Sequence, residues 1–224
     1  MSAQHMNLTT QGKGMKETVL ILAPHTDDES FGCGGTIARI VEEYGCESVH
    51  AVAFSICEES VPAGFPKDAL KVEFLAAQAA YGIPRENVHV FDYPVRRFPQ
   101  YRQEILEEMI RLRKVIRPTL VFAPSVRDMH QDHSTIAEEA FRAFKACKLL
   151  SYEIAWNHLE FHNQVYIKLE DRHIDRKLNA LSCYKTQSFR SYSGGEYVKS
   201  QAICRGAQVA CKYAEVFELV RAVL

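Results

Sequence analysis

Fully apolar runs alternate with amphipathic ones along most of the chain. The run from Thr18 to Ala23 is apolar and β-branched and predicts a strand, and Gly34 to Tyr44 follows with helical spacing. Ser48 to Ser55 predicts a second strand. A helix over Lys67 to Tyr81 is then stopped by Gly82 and Pro84. Asn87 to Tyr93 predicts a third strand. Pro99 to Ile116 is the strongest amphipathic helix, with a proline at its start and Pro118 just past its end. Thr119 to Ala123 predicts a fourth strand, and Ser134 to Lys145 a further helix. Beyond about residue 148 the alternation loosens. LSYEIAW, QVYIKL and AEVFELV predict strands there, and Asp171 to Tyr184 and Gly195 to Tyr213 predict helices.

Apolar strands alternating with amphipathic helices imply a mostly parallel sheet covered on both faces, a Rossmann-like three-layer α/β sandwich. No repeat, low-complexity tract or proline-rich linker divides the chain. Residues 16–224 read as one domain, preceded by a disordered leader over residues 1–15. That leader has no apolar core and is not a secretory signal. Hydrophobic content of 47% with 25% charged residues fits a globular protein, and no apolar run is long enough to span a membrane. A formal net charge of −1 argues against a general nucleic-acid binder. Seven cysteines form no CxxC pair, which points away from a disulfide framework and towards the reducing cytoplasm. Cys33 lies beside acids that raise a thiol pKa, so it is a core residue rather than a nucleophile.

The chemistry concentrates in two stretches. APHTDDESFGCGGT, from Ala23 to Thr36, follows the first strand, and PSVRDMHQDHST follows the fourth. Ligands of open doubly wound sheets bind at the carboxyl ends of strands where the strand order reverses. An order 3-2-1-4 makes strands 1 and 4 neighbours at that point. It brings His25, Asp27, Asp28 and Glu29 towards Asp128, His130, Asp132 and His133. Two imidazoles and a carboxylate with open positions suit a catalytic divalent metal, and the second aspartate of the pair then serves as base for a water. Each stretch alone has a blander reading, as acids or caps at a helix N-terminus. Two other chemistries remain open. A dinucleotide-binding module is disfavoured because Ile37 stands where a third glycine belongs and three acids would repel a pyrophosphate. A non-haem iron oxygenase uses the same two-histidine, one-carboxylate set.

PHTDDE followed by GCGGT, with a later HQDH, resembles the LmbE-like or PIG-L family of metal-dependent N-acetylglucosaminide deacetylases, and RGAQVACKYAEVFEL extends the likeness towards the C-terminus. The resemblance implies that His25, Asp28 and His133 hold Zn2+, with Fe2+ as a competitor. It makes Asp27 the general base, His130 the group that stabilises the oxyanion or acts as acid, and Asp132 the partner that orients an imidazole. It implies removal of an acetyl group from an N-acetylated amino sugar or glycoconjugate, a small-molecule substrate, with a homo-oligomer as a possible assembly. The family often has proline where Thr26 stands, and the loop after strand 3 lacks the aspartate with which several members contact sugar hydroxyls. Arg96 and Arg97 of that loop, with Lys71, are candidates for an anionic substrate group.

Overall fold

A computed structural model describes residues 17–223, so the leader expected over residues 1–15 lies outside the described residues. The strands are β1 (Val19–Ala23), β2 (Val49–Ala53), β3 (Val88–Val90), β4 (Leu120–Pro124), β5 (Lys148–Tyr152), β6 (Val165–Leu169) and β7 (Tyr213–Arg221). The helices are α1 (Asp28–Tyr44), α2 (Ala69–Tyr81), α3 (Arg102–Ile116), α4 (Gln131–Ala143), α5 (Asp171–Leu181) and α6 (Gly195–Ala207). β1 shows why the strands are apolar throughout. Its Leu20 and Leu22 pack with Met109 of α3 and Ile136 of α4, whereas Val19 and Ile21 pack with Ile37 of α1 and Phe74 of α2. A strand buried on both faces has no polar side, so its sequence shows no alternation.

Among the described residues these seven strands form one sheet in the order β3-β2-β1-β4-β5-β7-β6. The pairs β1–β2, β1–β4, β2–β3 and β4–β5 are parallel, and β7 runs antiparallel between β5 and β6. β1 and β4 are therefore adjacent, and the chain leaves them in opposite directions across the sheet. This is the arrangement the sequence implied, and it places both polar stretches at one sheet edge.

Several boundaries differ from expectation. α1 begins at Asp28 rather than Gly34, and α4 at Gln131 rather than Ser134, so both polar stretches run into helices. Gly32, Gly34 and Gly35 lie inside α1. Their role is close packing: a Cβ on Gly32 would sit 2.3 Å from Tyr152, and one on Gly35 2.5 Å from Leu169.

α1 is also broken. Cys33 has φ −145° and ψ 23°, outside the helical region. Gly35 N–H would otherwise donate to the Phe31 carbonyl, four residues back. It donates instead to Glu215 of β7 at 2.9 Å, and Thr36 N–H donates to the same carboxylate at 2.7 Å. The Phe31 carbonyl accepts from Lys177 Nζ of α5 at 2.7 Å, and Lys177 also donates to Glu215 at 2.7 Å. One buried ion pair thus satisfies the donors and the acceptor that the break exposes. Burial and the charges of Glu215 and Glu29 push the Cys33 thiol well above its ordinary pKa, which leaves it an inert core residue. The seven cysteines are all free. Among the described residues no helix is long and apolar enough to cross a membrane.

Candidate metal and catalytic centre

The β1–α1 connection carries His25, Asp27 and Asp28, and the β4–α4 connection carries Asp128, His130, Asp132 and His133. Three atoms converge. His25 Nδ1 lies 3.2 Å from Asp28 Oδ2, His133 Nε2 lies 3.2 Å from the same oxygen, and the two ring nitrogens are 3.2 Å apart. Bonds of about 2.0–2.1 Å to nitrogen and oxygen in a tetrahedral site put ligand atoms roughly 3.3–3.4 Å apart, so this triangle fits one divalent ion. His130 joins His25 and His133 in a wider group whose ligand atoms lie within 4.8 Å of one another. The tighter triangle, with its carboxylate, is the better donor set.

Each imidazole is held from behind. His25 Nε2 bonds Asp132 Oδ2 at 2.9 Å, and His133 Nδ1 bonds Asp128 Oδ2 at 2.7 Å. Both partners are buried, so each ring presents its other nitrogen to the triangle with its orientation fixed. Asp132 also accepts from the backbone of Arg96 (2.5 Å) and Phe98 (3.1 Å), which ties the β3–α3 loop to the same centre. The orienting role of Asp128 was missed in the sequence. Its signal was its spacing of five residues before His133 in the same dense cluster.

Electrostatics point the same way. Burial pushes the His133 pKa down, but Asp28 and Asp128 outweigh it and lift the ring to about 10. His25 is raised likewise, burial being overcome by Asp132 and Asp28. Asp28 is held below the usual carboxylate range, because His133 and His25 overcome its burial. The carboxylates around the two imidazoles therefore favour positive charge at the centre, which a divalent cation would supply. Asp27 behaves differently from its neighbour. Its carboxylate has no hydrogen-bond partner among the described residues, and burial together with Asp28 raises it to about 6, against the pull of His25 and Arg190. A base poised near neutrality suits proton abstraction from water.

His130 caps α4. Its Nδ1 accepts from Asp132 N–H at 3.2 Å, while burial and the neighbouring His25 and His133 lower its pKa. A neutral ring accepting at Nδ1 carries its proton on Nε2, leaving a donor for the cleft. Glu29 is fully buried. Gln78, Ser30 and Tyr184 donate to it, and burial raises its pKa to about 8.

A cleft of about 330 Å³ opens over the triangle. Arg96 lines it; Arg97 and Lys71 are exposed and are not among its lining residues. Arg190, which carries no motif in the sequence, lines it too. So does Trp156. The indole is 39% exposed and stacks on Tyr192, with ring centroids 3.7 Å apart. The bridge between Asp128 and His158 draws the Trp156 segment to this edge.

The chain is similar to several known proteins. A probable N-acetyl-α-D-glucosaminyl L-malate deacetylase 2 of Bacillus subtilis (strain 168) is 26% identical over 197 residues, covering 78% of this chain and 85% of that protein. The N,N'-diacetylchitobiose deacetylase of Pyrococcus horikoshii superposes with a TM-score of 0.74 over 90% of this chain and 83% of its own, at 19% identity. The 4-carboxy-2-hydroxymuconate hydratase GalB of Pseudomonas putida KT2440 does so with a TM-score of 0.73 over 93% and 98%, also at 19% identity. These two likenesses concern the fold alone. The family model described as PIG-L, GlcNAc-PI de-N-acetylase, matches residues 20–145, a stretch that includes every strand end at the centre, and the chain belongs to the PIG-L family.

Proposed function

We propose that this protein is a divalent-metal-dependent N-deacetylase that releases acetate and a free amine from an N-acetylated amino sugar or glycoconjugate. The observation that carries the reading is the triangle of His25 Nδ1, Asp28 Oδ2 and His133 Nε2, three atoms mutually 3.2 Å apart on the cleft floor. The family and the malate deacetylase relative support the reaction class.

His25, Asp28 and His133 would hold the ion, Zn2+ by preference for this donor set and Fe2+ as the competitor. When bound there, the ion supplies Lewis acidity to the amide carbonyl and to a water. Asp27 takes a proton from the water as its oxygen adds to the carbonyl carbon. His130, donating from Nε2, stabilises the negative charge that develops on the carbonyl oxygen. The C–N bond then breaks, and the proton held by Asp27 passes to the leaving nitrogen. Asp132 and Asp128 hold His25 and His133 in register throughout, while Arg96 sits over the cleft. Seven free cysteines suit a cytoplasmic location.

The test combines metal analysis with mass spectrometry of N-acetyl sugars, sugar phosphates and glycosides incubated with the purified protein. About one divalent ion per chain, acetate release and its loss in strong chelator are the expected results. Undiminished acetate release from metal-free protein overturns the metal assignment. Oxygen-dependent turnover assigns the same ligands to an oxygenase, and water addition to a double bond without acetate release assigns the hydratase chemistry this fold also carries.

A further inference from the structure

Most arginines in the described residues have an anionic or carbonyl partner. Arg39, Arg102, Arg111, Arg127, Arg142, Arg172 and Arg205 pair with carboxylates, and Arg85, Arg113, Arg176 and Arg221 donate to backbone carbonyls. The two arginines that line the cleft, Arg96 and Arg190, make no carboxylate ion pair and no side-chain hydrogen bond to a backbone carbonyl.

Both are nevertheless held in place. Arg190 donates from Nε to Gln187 Oε1 at 2.6 Å, and Gln187 is buried. The guanidinium lies 5.2 Å from the centre of the Phe189 ring and 5.7 Å from that of Tyr192, whose ring stacks on Trp156 in the cleft wall. With Nε engaged and its faces flanked by aromatic rings, the guanidinium has Tyr192 and Asp27 as electrostatic neighbours, and no carboxylate ion pair takes up its terminal N–H groups. Arg96 sits on the opposing β3–α3 loop. Its backbone is left-handed, φ +67°, an unfavourable conformation for a residue with a side chain. Asp132 holds it there by accepting the Arg96 N–H, and Gln131 donates to the Arg96 carbonyl at 3.2 Å. The residue that orients His25 thus also fixes the position of a cation at the cleft.

We infer that Arg190 and Arg96 form an anion subsite, and that the N-acetylated substrate carries a carboxylate or phosphate group read by these two guanidinium groups. The inference rests on the deacetylase reading and names its substrate class. Guanidinium forks that no carboxylate ion pair engages are the natural partners of planar or tetrahedral oxyanions, which they bind by paired N–H···O contacts. A cleft of about 330 Å³ has room for one sugar ring and a small charged substituent. The competing role, counter-ions for Asp27 and Asp28, would leave substrate charge irrelevant.

Steady-state kinetics on the metal-loaded protein separate the two. The panel is N-acetylglucosamine, its 1-phosphate, and N-acetylglucosaminyl L-malate. The two anionic compounds are expected to exceed the neutral one in kcat/KM by tenfold or more, and whichever is favoured names the anion. In Arg190→Met and Arg96→Met the charged-to-neutral ratio falls about tenfold to a hundredfold, through KM, and Arg190→Lys recovers part of it. A ratio near one in the parent protein, or a loss confined to kcat and equal for all compounds, overturns the subsite. Titration of chelator-treated protein with inorganic phosphate and with L-malate reads the same site without turnover. Binding of either anion that weakens tenfold in Arg190→Met supports it, and no binding, or binding unchanged in both variants, overturns it. If none of the panel is deacetylated while an anion still binds through Arg190, the reaction class has failed and the subsite stands.

Discussion

Removing the Asp128 carboxylate tests whether the centre is built to hold a metal or is only a buried polar cluster. In the folded chain Asp128 accepts from His133 Nδ1 at 2.7 Å, from His130 N–H at 2.8 Å, and from Asn157 Nδ2 at 3.4 Å. Asp128→Ala leaves all three donors without this acceptor, but they do not suffer equally. His130 and Asn157 are at the cleft and water can replace the lost bond. His133 is 2% exposed, so its Nδ1–H is orphaned. One orphaned buried donor costs roughly 1–3 kcal/mol of fold stability. Freeing the ring and weakening its basicity costs a further 10–100-fold in metal affinity, about 1.4–2.7 kcal/mol. Asp128→Asn keeps an oxygen for His133 but loses the charge, so it should fall between the parent and Asp128→Ala. Zinc affinity from competition with a chelating dye and urea unfolding in excess chelator measure the two costs separately. An Asp128→Ala protein that binds zinc within twofold of the parent would refute the orienting role.

Asp28→Ala should lose metal and activity together, whereas Asp27→Asn should retain metal and lose about 10²–10⁴ in kcat, as a missing general base does. Metal content and kcat on both variants decide it, and a metal-free Asp27→Asn beside a loaded Asp28→Ala reverses the assignment. Gly32→Ala places a Cβ 2.3 Å from the fully buried Tyr152 ring, so it should destabilise the fold by about 1–3 kcal/mol in denaturant titration, and a neutral effect would show that α1 can shift freely. On the other flank, His50 and His89 stack with ring centroids 5.9 Å apart, and burial lowers both pKa values, helped by His89 for the first ring and by Arg111 and Arg85 for the second. The unfolded chain therefore takes up protons near pH 6.5 that the fold resists, so stability is fully present above that pH and falls as pH drops below it. The double variant His50→Gln/His89→Gln should show a smaller loss of urea midpoint than the parent between pH 7.5 and pH 5.5, and identical losses would dismiss the pair.

The strands most legible in the sequence are those buried on both faces. β1, β2 and β4 are unbroken apolar runs because nothing polar can be tolerated on either side, and their adjacency followed from the topology rule. The starts of α1 and α4 were misplaced for the converse reason. Asp28, Glu29, Asp132 and His133 look like loop residues, yet a helix N-terminus at a buried site keeps polar side chains inward. The packing role of the α1 glycines was hidden because their partners, Tyr152, Leu169 and Glu215, are remote in sequence. The same distance hid Glu29, whose donors Gln78 and Tyr184 come from elsewhere in the chain. Arg190 had no periodicity or neighbouring motif to mark it. Only the fold brings its loop to the cleft opposite Arg96.

The break in α1 has a consequence for how the protein is made. The half-helix that carries Asp28 is closed off at Cys33 by Lys177 and Glu215, and Glu215 lies 180 residues from Gly35. Both side chains lie beyond residue 145, where the family match ends. A nascent chain that has emerged only through β4 and α4 already holds both polar stretches, but not the charges that satisfy the broken helix. Contacts so distant in sequence close a long loop and form late. Metal capture is therefore expected to follow completion of the last strand, and C-terminal truncation before Glu215 should leave a chain with every ligand present and no fixed place for the ion.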